Sequence, residues 1–224
     1  MFIRLKKPLS IKDIKLENYH LSKIERKDVP MLLIDDEHGD FKILETLHNH
    51  NFNILTVPDV TSIEQVKPYE IILCDIKGIG KVFGSEYEGA HVIAEIRKRF
   101  PFKTILAYSA FNHDPDYNKY LKVADDVIKK DTDIDLWVEI LDNSIEEAKN
   151  PEKKWIKLRN FLIEKDVSLF DISLLEDEYT KVFNEGGNLD DFPSKKNQKG
   201  LSPDVRAILQ SFTASIIFQL VFGK

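Results

Sequence analysis

Acidic side chains follow two of the apolar runs that the sequence predicts to be buried strands. Asp35 and Asp36 come directly after Met31–Ile34, and Asp75 comes directly after Glu70–Cys74. Crowded carboxylates raise one another's pKa, so they stay ionised together only if a cation lies among them. Oxygen ligands without His or Cys favour Mg²⁺, which leaves coordination positions for a phosphoryl oxygen. The sequence therefore predicts a magnesium site formed by these acids.

A hydroxyl and an ammonium group are expected beside the three acids. Ser109 follows the apolar run Thr104–Tyr108, and Lys130 lies two residues beyond Asp126–Ile128. In an open parallel sheet, ligands bind outside the carboxyl ends of the strands. We therefore expect Ser109 and Lys130 to lie near the acids if all these runs are neighbouring parallel strands.

The elements that would position these residues follow a βαβ pattern from Met31 to Ala148, in which short apolar runs alternate with segments of helical period. Such a pattern predicts a parallel sheet that is covered by helices on both faces. The five predicted strands are Met31–Ile34, Asn53–Val57, Glu70–Cys74, Thr104–Tyr108 and Asp126–Ile128. Four helices are predicted between or after them, at Asp40–His48, Gly89–Phe100 and Asp114–Leu121 and from Thr132 or Asp133 onward.

The sequence after Asn150 predicts helices alone, at Glu152–Lys165, at Asp171–Phe183 and from Pro203 onward. A stretch rich in Gly, Asn and Lys at about 184–200 is predicted to be a linker. The predicted fold class is α/β with a five-stranded parallel sheet, followed by an all-α C-terminal module. The predicted domains are an N-terminal extension at 1–29, the α/β domain at 30–149 and the helical module at 150–224. The extension is expected to be a strand pair or an arm on the acidic α/β domain.

The order of these motifs resembles the flavodoxin-like (βα)5 receiver domain of bacterial response regulators, the CheY-like family. The resemblance covers about residues 30–149. It rests on four motifs in the expected order, which are Asp35-Asp36 after the first strand, Asp75 after the third, Ser109-Ala110 after the fourth and Lys130 after the fifth.

The resemblance implies a role for each of these residues. Asp35 and Asp36 would hold Mg²⁺ together with Asp75 and the backbone carbonyl of Lys77. Asp75 would be phosphorylated by attack on a phosphohistidine. Two further catalytic roles are implied, in which Lys130 would offset charge on the transferred oxygens and Ser109 would move to hydrogen-bond the phosphoryl group.

Two departures from the family's pattern concern the output of the switch. The usual Met-Pro after the phosphoacceptor is replaced by Lys77-Gly78, and the glycine-rich loop that follows is longer than usual and is expected to be mobile. The switch aromatic of the fifth strand is replaced by Val127. The phosphorylation chemistry is therefore expected to be retained without the usual aromatic readout. Phe111, two residues after Ser109, is expected to shield the acyl phosphate from water.

Composition and charge exclude several classes of protein. A single cysteine, Cys74, excludes a disulfide framework and favours a reducing cytoplasm. The net charge is −6 and the acids are concentrated in residues 31–150, so no nucleic-acid partner is expected. Neither a secretion signal nor a membrane span is predicted.

The expected function is that of a phosphoacceptor in two-component signal transduction, with self-phosphorylation and dephosphorylation as its only chemistry. Its partner would be a histidine kinase or a phosphotransfer protein, and Mg²⁺ would be its cofactor. The alternative is a receiver-like scaffold that docks constitutively through its helices. The last helix carries more apolar side chains than one stripe needs, which favours a homodimer or a protein partner on that helix. These side chains are Val205, Ile208, Leu209, Phe212, Ile216, Ile217, Phe218, Leu220 and Val221.

Overall fold

A computed structural model of the protein describes residues 7–15, 24–37, 43–109, 121–185 and 192–222. The chain divides into two compact units. One of them, which we call the α/β unit, is residues 24–149. The other, which we call the helical unit, combines the described parts of residues 1–23 and 150–224.

The α/β unit contains a five-stranded parallel sheet with the order β2-β1-β3-β4-β5. This order is the flavodoxin-like one, and it confirms the predicted fold class. Strands β1, β3 and β4 are buried along their whole length, as expected for apolar strands covered on both faces. The strands are β1 at Met31–Ile34, β2 at Ile54–Val57, β3 at Ile71–Asp75, β4 at Thr104–Ser109 and β5 at Asp126–Lys129.

Three described helices accompany the sheet, namely α1 at Leu44–Asn49, α2 at Glu88–Arg99 and α3 at Ile134–Ala148. The side chain of Asp133 accepts a hydrogen bond from the backbone N–H of Leu136 at 3.0 Å, so α3 begins at one of the predicted caps. Residues 38–42 and 110–120 lie outside the described residues, and with them the start of one predicted helix and most of another.

The described helices of the helical unit are α4 at Pro151–Glu164, α5 at Leu169–Glu185 and α6 at Pro203–Phe222. Their core is a cluster of aromatic rings in which Trp155 stacks on Tyr179 with ring centres 5.0 Å apart. Phe192 and Phe212 pack on the same two rings. Phe192 is buried, so the described part of the predicted linker contributes to this core instead of separating two parts of the module.

Helix α6 buries one face in the helical unit, which includes Leu209, Phe212 and Ile216. The side chains of residues 218–222, on which the predicted second apolar face depends, lie outside the described ones. Association through this face therefore stays a prediction. Within the described residues, the structure contains no helix with the length and hydropathy that a membrane span requires.

The predicted N-terminal extension is described at residues 7–15 and 24–29, and residues 7–15 lie on helix α5 of the helical unit. The backbone N–H of Leu9 donates to Asp177 at 2.8 Å, and that of Ile11 donates to Glu176 at 2.9 Å. The side chain of Ile11 is buried. The extension is expected on the acidic α/β domain, and residues 24–29 do belong to that unit, where Arg26 pairs with Asp142 of α3 at 2.7 Å. Residues 7–15 instead belong to the helical unit, because α5 supplies the carboxylates that satisfy their backbone donors.

Candidate metal and phosphoacceptor site

Three carboxylates converge at the carboxyl edge of the sheet. Asp35, Asp36 and Asp75 each offer one oxygen, and these oxygens all lie within 4.8 Å of one another. Strands β1 and β3 are neighbours in which Ile34 pairs with Cys74. The acids that follow Ile34 and Cys74 in the sequence therefore lie side by side at one edge of the sheet. Asp35 and Asp75 are buried, whereas Asp36 is exposed. The structure thus brings together the three acids that the sequence predicted to form one site.

Lys130 lies between two of these acids. Its ammonium nitrogen is 2.7 Å from Oδ2 of Asp75 and 3.6 Å from Oδ2 of Asp35. Burial lowers the pKa of Lys130, but the hydrogen bond and charge of Asp75 raise it by more, so the pKa lies above its ordinary value. The side chain is therefore a permanent cation beside the predicted phosphoacceptor, where it can offset charge on transferred oxygens.

Asp75 is buried at the end of β3 and its two oxygens are oriented by two donors. Oδ2 accepts from Lys130, and Oδ1 accepts from the backbone N–H of Ile76 at 2.6 Å. Burial raises the pKa of Asp75, although the hydrogen bond and charge of Lys130 oppose the shift. A divalent cation beside the carboxylate would act in the same direction as Lys130 and lower the pKa of Asp75. It would thereby favour the ionised form that a nucleophile requires.

Asp35 accepts a hydrogen bond on each of its oxygens, and one of these donors could not be identified from the sequence. Its Oδ1 accepts from the backbone N–H of Glu37 at 2.9 Å, and its Oδ2 accepts from the phenol of Tyr108. The sequence predicted Tyr108 only as the last residue of an apolar strand. The available signal was its residue type, since a buried tyrosine needs a partner for its hydroxyl.

Asp36 points toward the loop after β3 and has a lysine partner there. The ammonium group of Lys81 lies 3.2 Å from Oδ2 of Asp36. Gly78 passes so close that a Cβ atom added to it would lie 2.1 Å from the same oxygen, and its φ is +76°. The close approach and the left-handed backbone both explain why glycine occupies this position.

The loop after β3 is held by acidic side chains from two other elements. Asp59, just after β2, accepts from the backbone N–H of Gly80 at 2.7 Å. Glu88, at the start of α2, accepts from the backbone N–H of Gly78 at 3.1 Å. The mobility that the sequence predicts for this loop stays a prediction, and the structure adds these partners and a 3₁₀ turn at Lys81–Phe83. Asp59 and Glu88 were missed because their contacts depend on the fold of this loop.

Ser109 and Lys77 line the cavity beside the carboxylates. Ser109 ends β4, and its carbonyl accepts from the backbone N–H of Lys130 at 3.0 Å, which brings the hydroxyl and ammonium residues together. The cavity has a volume of ≈ 290 Å³ and is lined by Asp36, Glu37, Asp75, Lys77, Gly78, Ser109 and Lys130. The metal-ligating role of the Lys77 carbonyl stays a prediction, and Phe111 lies outside the described residues.

Two other residues singled out in the sequence take the places expected of them in the sheet. Val127, which stands where the family has its switch aromatic, is 45% exposed on β5. Cys74 is buried within β3, and burial raises the pKa of its thiol well above the ordinary value. The thiol is therefore held protonated as a core side chain rather than as a nucleophile.

The donor set fits a hard divalent cation. The described cluster supplies three carboxylate oxygens and neither imidazole nor thiolate, which matches the ligand preference of Mg²⁺. Asp36 is open to solvent, and the adjoining cavity leaves room for water and for a phosphoryl group. Mg²⁺ would be held by Asp35, Asp36 and Asp75.

Solved structures of receiver domains are similar to this chain. The activated receiver domain of Klebsiella pneumoniae RstA is 16% identical, with a TM-score of 0.44, and the match covers 52% of this chain and 97% of that one. Thermotoga maritima TrrA, in complex with Mg²⁺ and beryllofluoride, is 22% identical, with a TM-score of 0.42 and coverages of 52% and 98%. The receiver domain of Brucella abortus NtrX is 20% identical, with a TM-score of 0.43 and coverages of 52% and 98%. No family model and no curated protein matches the sequence.

Proposed function

We propose that the chain is a phosphoacceptor of two-component signal transduction and that Asp75 receives the phosphoryl group. The observation that carries the proposal is the arrangement around Asp75, where a buried carboxylate lies 2.7 Å from a lysine ammonium and within 4.8 Å of two further acids. Phosphoryl transfer depends mainly on positioning and on charge stabilisation, and this cluster can supply both.

The chemistry would proceed by in-line displacement. An oxygen of Asp75 forms a bond to the phosphorus of a phosphohistidine while the phosphorus–nitrogen bond breaks, and the electron pair of that bond stays on the imidazole. Lys130 offsets charge on the transferred oxygens, and Ser109 donates a hydrogen bond to the phosphoryl group. Bound Mg²⁺ would supply further charge neutralisation. A histidine kinase or a phosphotransfer protein is the partner that this chemistry requires, and the helical unit would carry the output.

The proposal is tested by incubating the purified chain with Mg²⁺ and acetyl phosphate and measuring its intact mass. We expect the wild type to gain one phosphoryl group and Asp75→Asn to gain none. Asp126→Asn is the matched control, because Asp126 is an exposed acid on β5, and this variant should be phosphorylated like the wild type.

Beryllofluoride provides a second measurement that does not depend on the lifetime of the acyl phosphate. Bound fluoride should be detected by fluorine NMR in the wild type and be absent in Asp75→Asn. A wild-type chain that neither gains a phosphoryl group nor binds beryllofluoride would contradict the proposal and would favour the scaffold alternative.

A further inference from the structure

Tyr108 is a buried polar side chain that contacts Asp35 in the candidate site. It pairs with Asp75 in the register of β3 and β4, and its side chain is fully buried. Its phenol donates to Oδ2 of Asp35, and the ammonium group of Lys130 lies 5.2 Å from the centre of its ring. One side chain on β4 therefore contacts or adjoins two acids and the lysine of the site.

The hydrogen bond to Asp35 constrains a carboxylate that is almost fully buried, with 1% of its surface exposed. One oxygen accepts from a backbone N–H and the other accepts from the phenol. Hydrogen bonds to an ionised acceptor are about twice as strong as neutral ones. Two such donors, one on each oxygen, fix the plane of the carboxylate and thus the direction in which its remaining lone pairs point.

The phenol hydroxyl is fixed in its donor position by the packing of its own ring. The ring is held in place by edge-to-face packing on Trp137 of α3, with ring centres 6.2 Å apart.

We propose that Tyr108 is a positioning residue of the cation site, which orients Asp35 toward Mg²⁺ through its phenol hydroxyl. This inference rests on the proposed function, because it requires that Asp35 bind the cation. Groups that hydrogen-bond a metal ligand without binding the metal themselves fix the orientation of that ligand. Their loss typically costs about 10- to 100-fold in metal affinity.

Tyr108→Phe is the variant that isolates the hydroxyl, because phenylalanine keeps the ring that packs on Trp137. In Mg²⁺ titrations followed by calorimetry, we expect Tyr108→Phe to raise the Kd by about 10- to 100-fold. Tyr179→Phe is the matched control. Tyr179 is a fully buried tyrosine of the helical unit whose hydroxyl donates to the carbonyl of Pro151 at 3.1 Å. That variant also loses the hydroxyl of a buried tyrosine and its hydrogen bond, and it should bind Mg²⁺ like the wild type.

A second measurement uses the unmodified chain, so it does not depend on the folding of the variant. With tyrosines labelled at ¹³Cζ and assigned by through-bond correlation, the signal of Tyr108 should shift with the same Mg²⁺ midpoint as calorimetry gives. A Tyr108 signal that stays fixed while Mg²⁺ binds would overturn the inference.

The outcomes separate this inference from the proposed function. Equal Mg²⁺ affinity in the wild type and in a folded Tyr108→Phe would overturn the positioning role and leave the phosphoacceptor proposal intact. A wild type that binds no Mg²⁺ would overturn both.

Discussion

At the scale of single residues, the carboxylate cluster is partly neutralised by two lysines. Lys130 has a side chain that is 24% exposed and lies between Asp35 and Asp75, whereas the side chain of Lys81 is 70% exposed and its ammonium group contacts Asp36. A cation that binds Asp36 must compete with the ammonium group of Lys81. The ammonium group of Lys130 is mostly buried and contacts two acids. The exposed ammonium group of Lys81 is therefore the one that can leave its carboxylate when a cation binds.

Lys81→Gln should therefore raise the affinity for Mg²⁺. An exposed ion pair of this kind contributes about 0.2–1 kcal/mol, so we expect the Kd to fall by up to about fivefold. The measurement is calorimetric titration at low ionic strength, where exposed charges are screened least.

Lys98→Gln is the control for this change in net charge, because Lys98 is an exposed lysine that pairs with Glu95 on α2. Its Mg²⁺ affinity should equal that of the wild type. An unchanged or weaker affinity in Lys81→Gln would show that the ion pair with Asp36 does not compete with the cation.

The convergence of the main site residues could be predicted because each follows a strand end. Once Asp75 and Lys130 are assigned to the ends of parallel strands, the sheet itself brings them to one edge. Tyr108 could not be predicted as a partner of Asp35, since its position on an apolar strand fits the core equally well. Asp59 and Glu88 contact loop backbone, and no periodic pattern specifies the fold of that loop.

At the scale of elements, the strands could be predicted closely and the loop after β3 could not. Buried parallel strands are continuous apolar runs, so the bounds of β1 and β3 follow from composition. The loop after β3 was expected to be mobile because it is rich in glycine. That mobility stays a prediction, whereas the turn itself, in which Gly78 and Gly84 both have positive φ, could not be predicted.

Gly78→Ala should weaken Mg²⁺ binding, because the added Cβ would lie 2.1 Å from Oδ2 of Asp36 and force that carboxylate to rotate. Gly84→Ala is the matched control, since Gly84 has φ of +63° and open space around it. Both variants should lose about 1 kcal/mol of stability through backbone strain alone.

Only Gly78→Ala is expected to change the Kd for Mg²⁺. Urea unfolding measures the strain, and calorimetry measures the affinity. If the two variants bind Mg²⁺ equally well, the contact between the loop and Asp36 has no influence on the cation site.

At the scale of the whole molecule, the helical unit is built from two parts of the chain that are distant in sequence. Glu176 of α5 accepts from the backbone of Ile11 at 2.9 Å and from the indole of Trp155 on α4 at 2.7 Å. Ile11 is 4% exposed. The sequence predicted the helices of this unit but not its N-terminal component, because a short segment without periodic pattern carries no signal for its partner.

Ile11→Ala should therefore destabilise the helical unit and leave the α/β unit unchanged. Removing most of a buried isoleucine side chain typically costs about 2–5 kcal/mol. Hydrogen exchange followed by mass spectrometry localises the effect, since each unit opens with its own free energy. Peptides of α4 and α5 should exchange faster, while peptides of β1 and β3 should keep the wild-type rate.

Lys12→Ala is the control, because Lys12 is the exposed neighbour of Ile11, and this variant should exchange like the wild type throughout. Faster exchange in β1 and β3 rather than in α4 and α5 would place residues 7–15 on the α/β unit, as the sequence alone suggested.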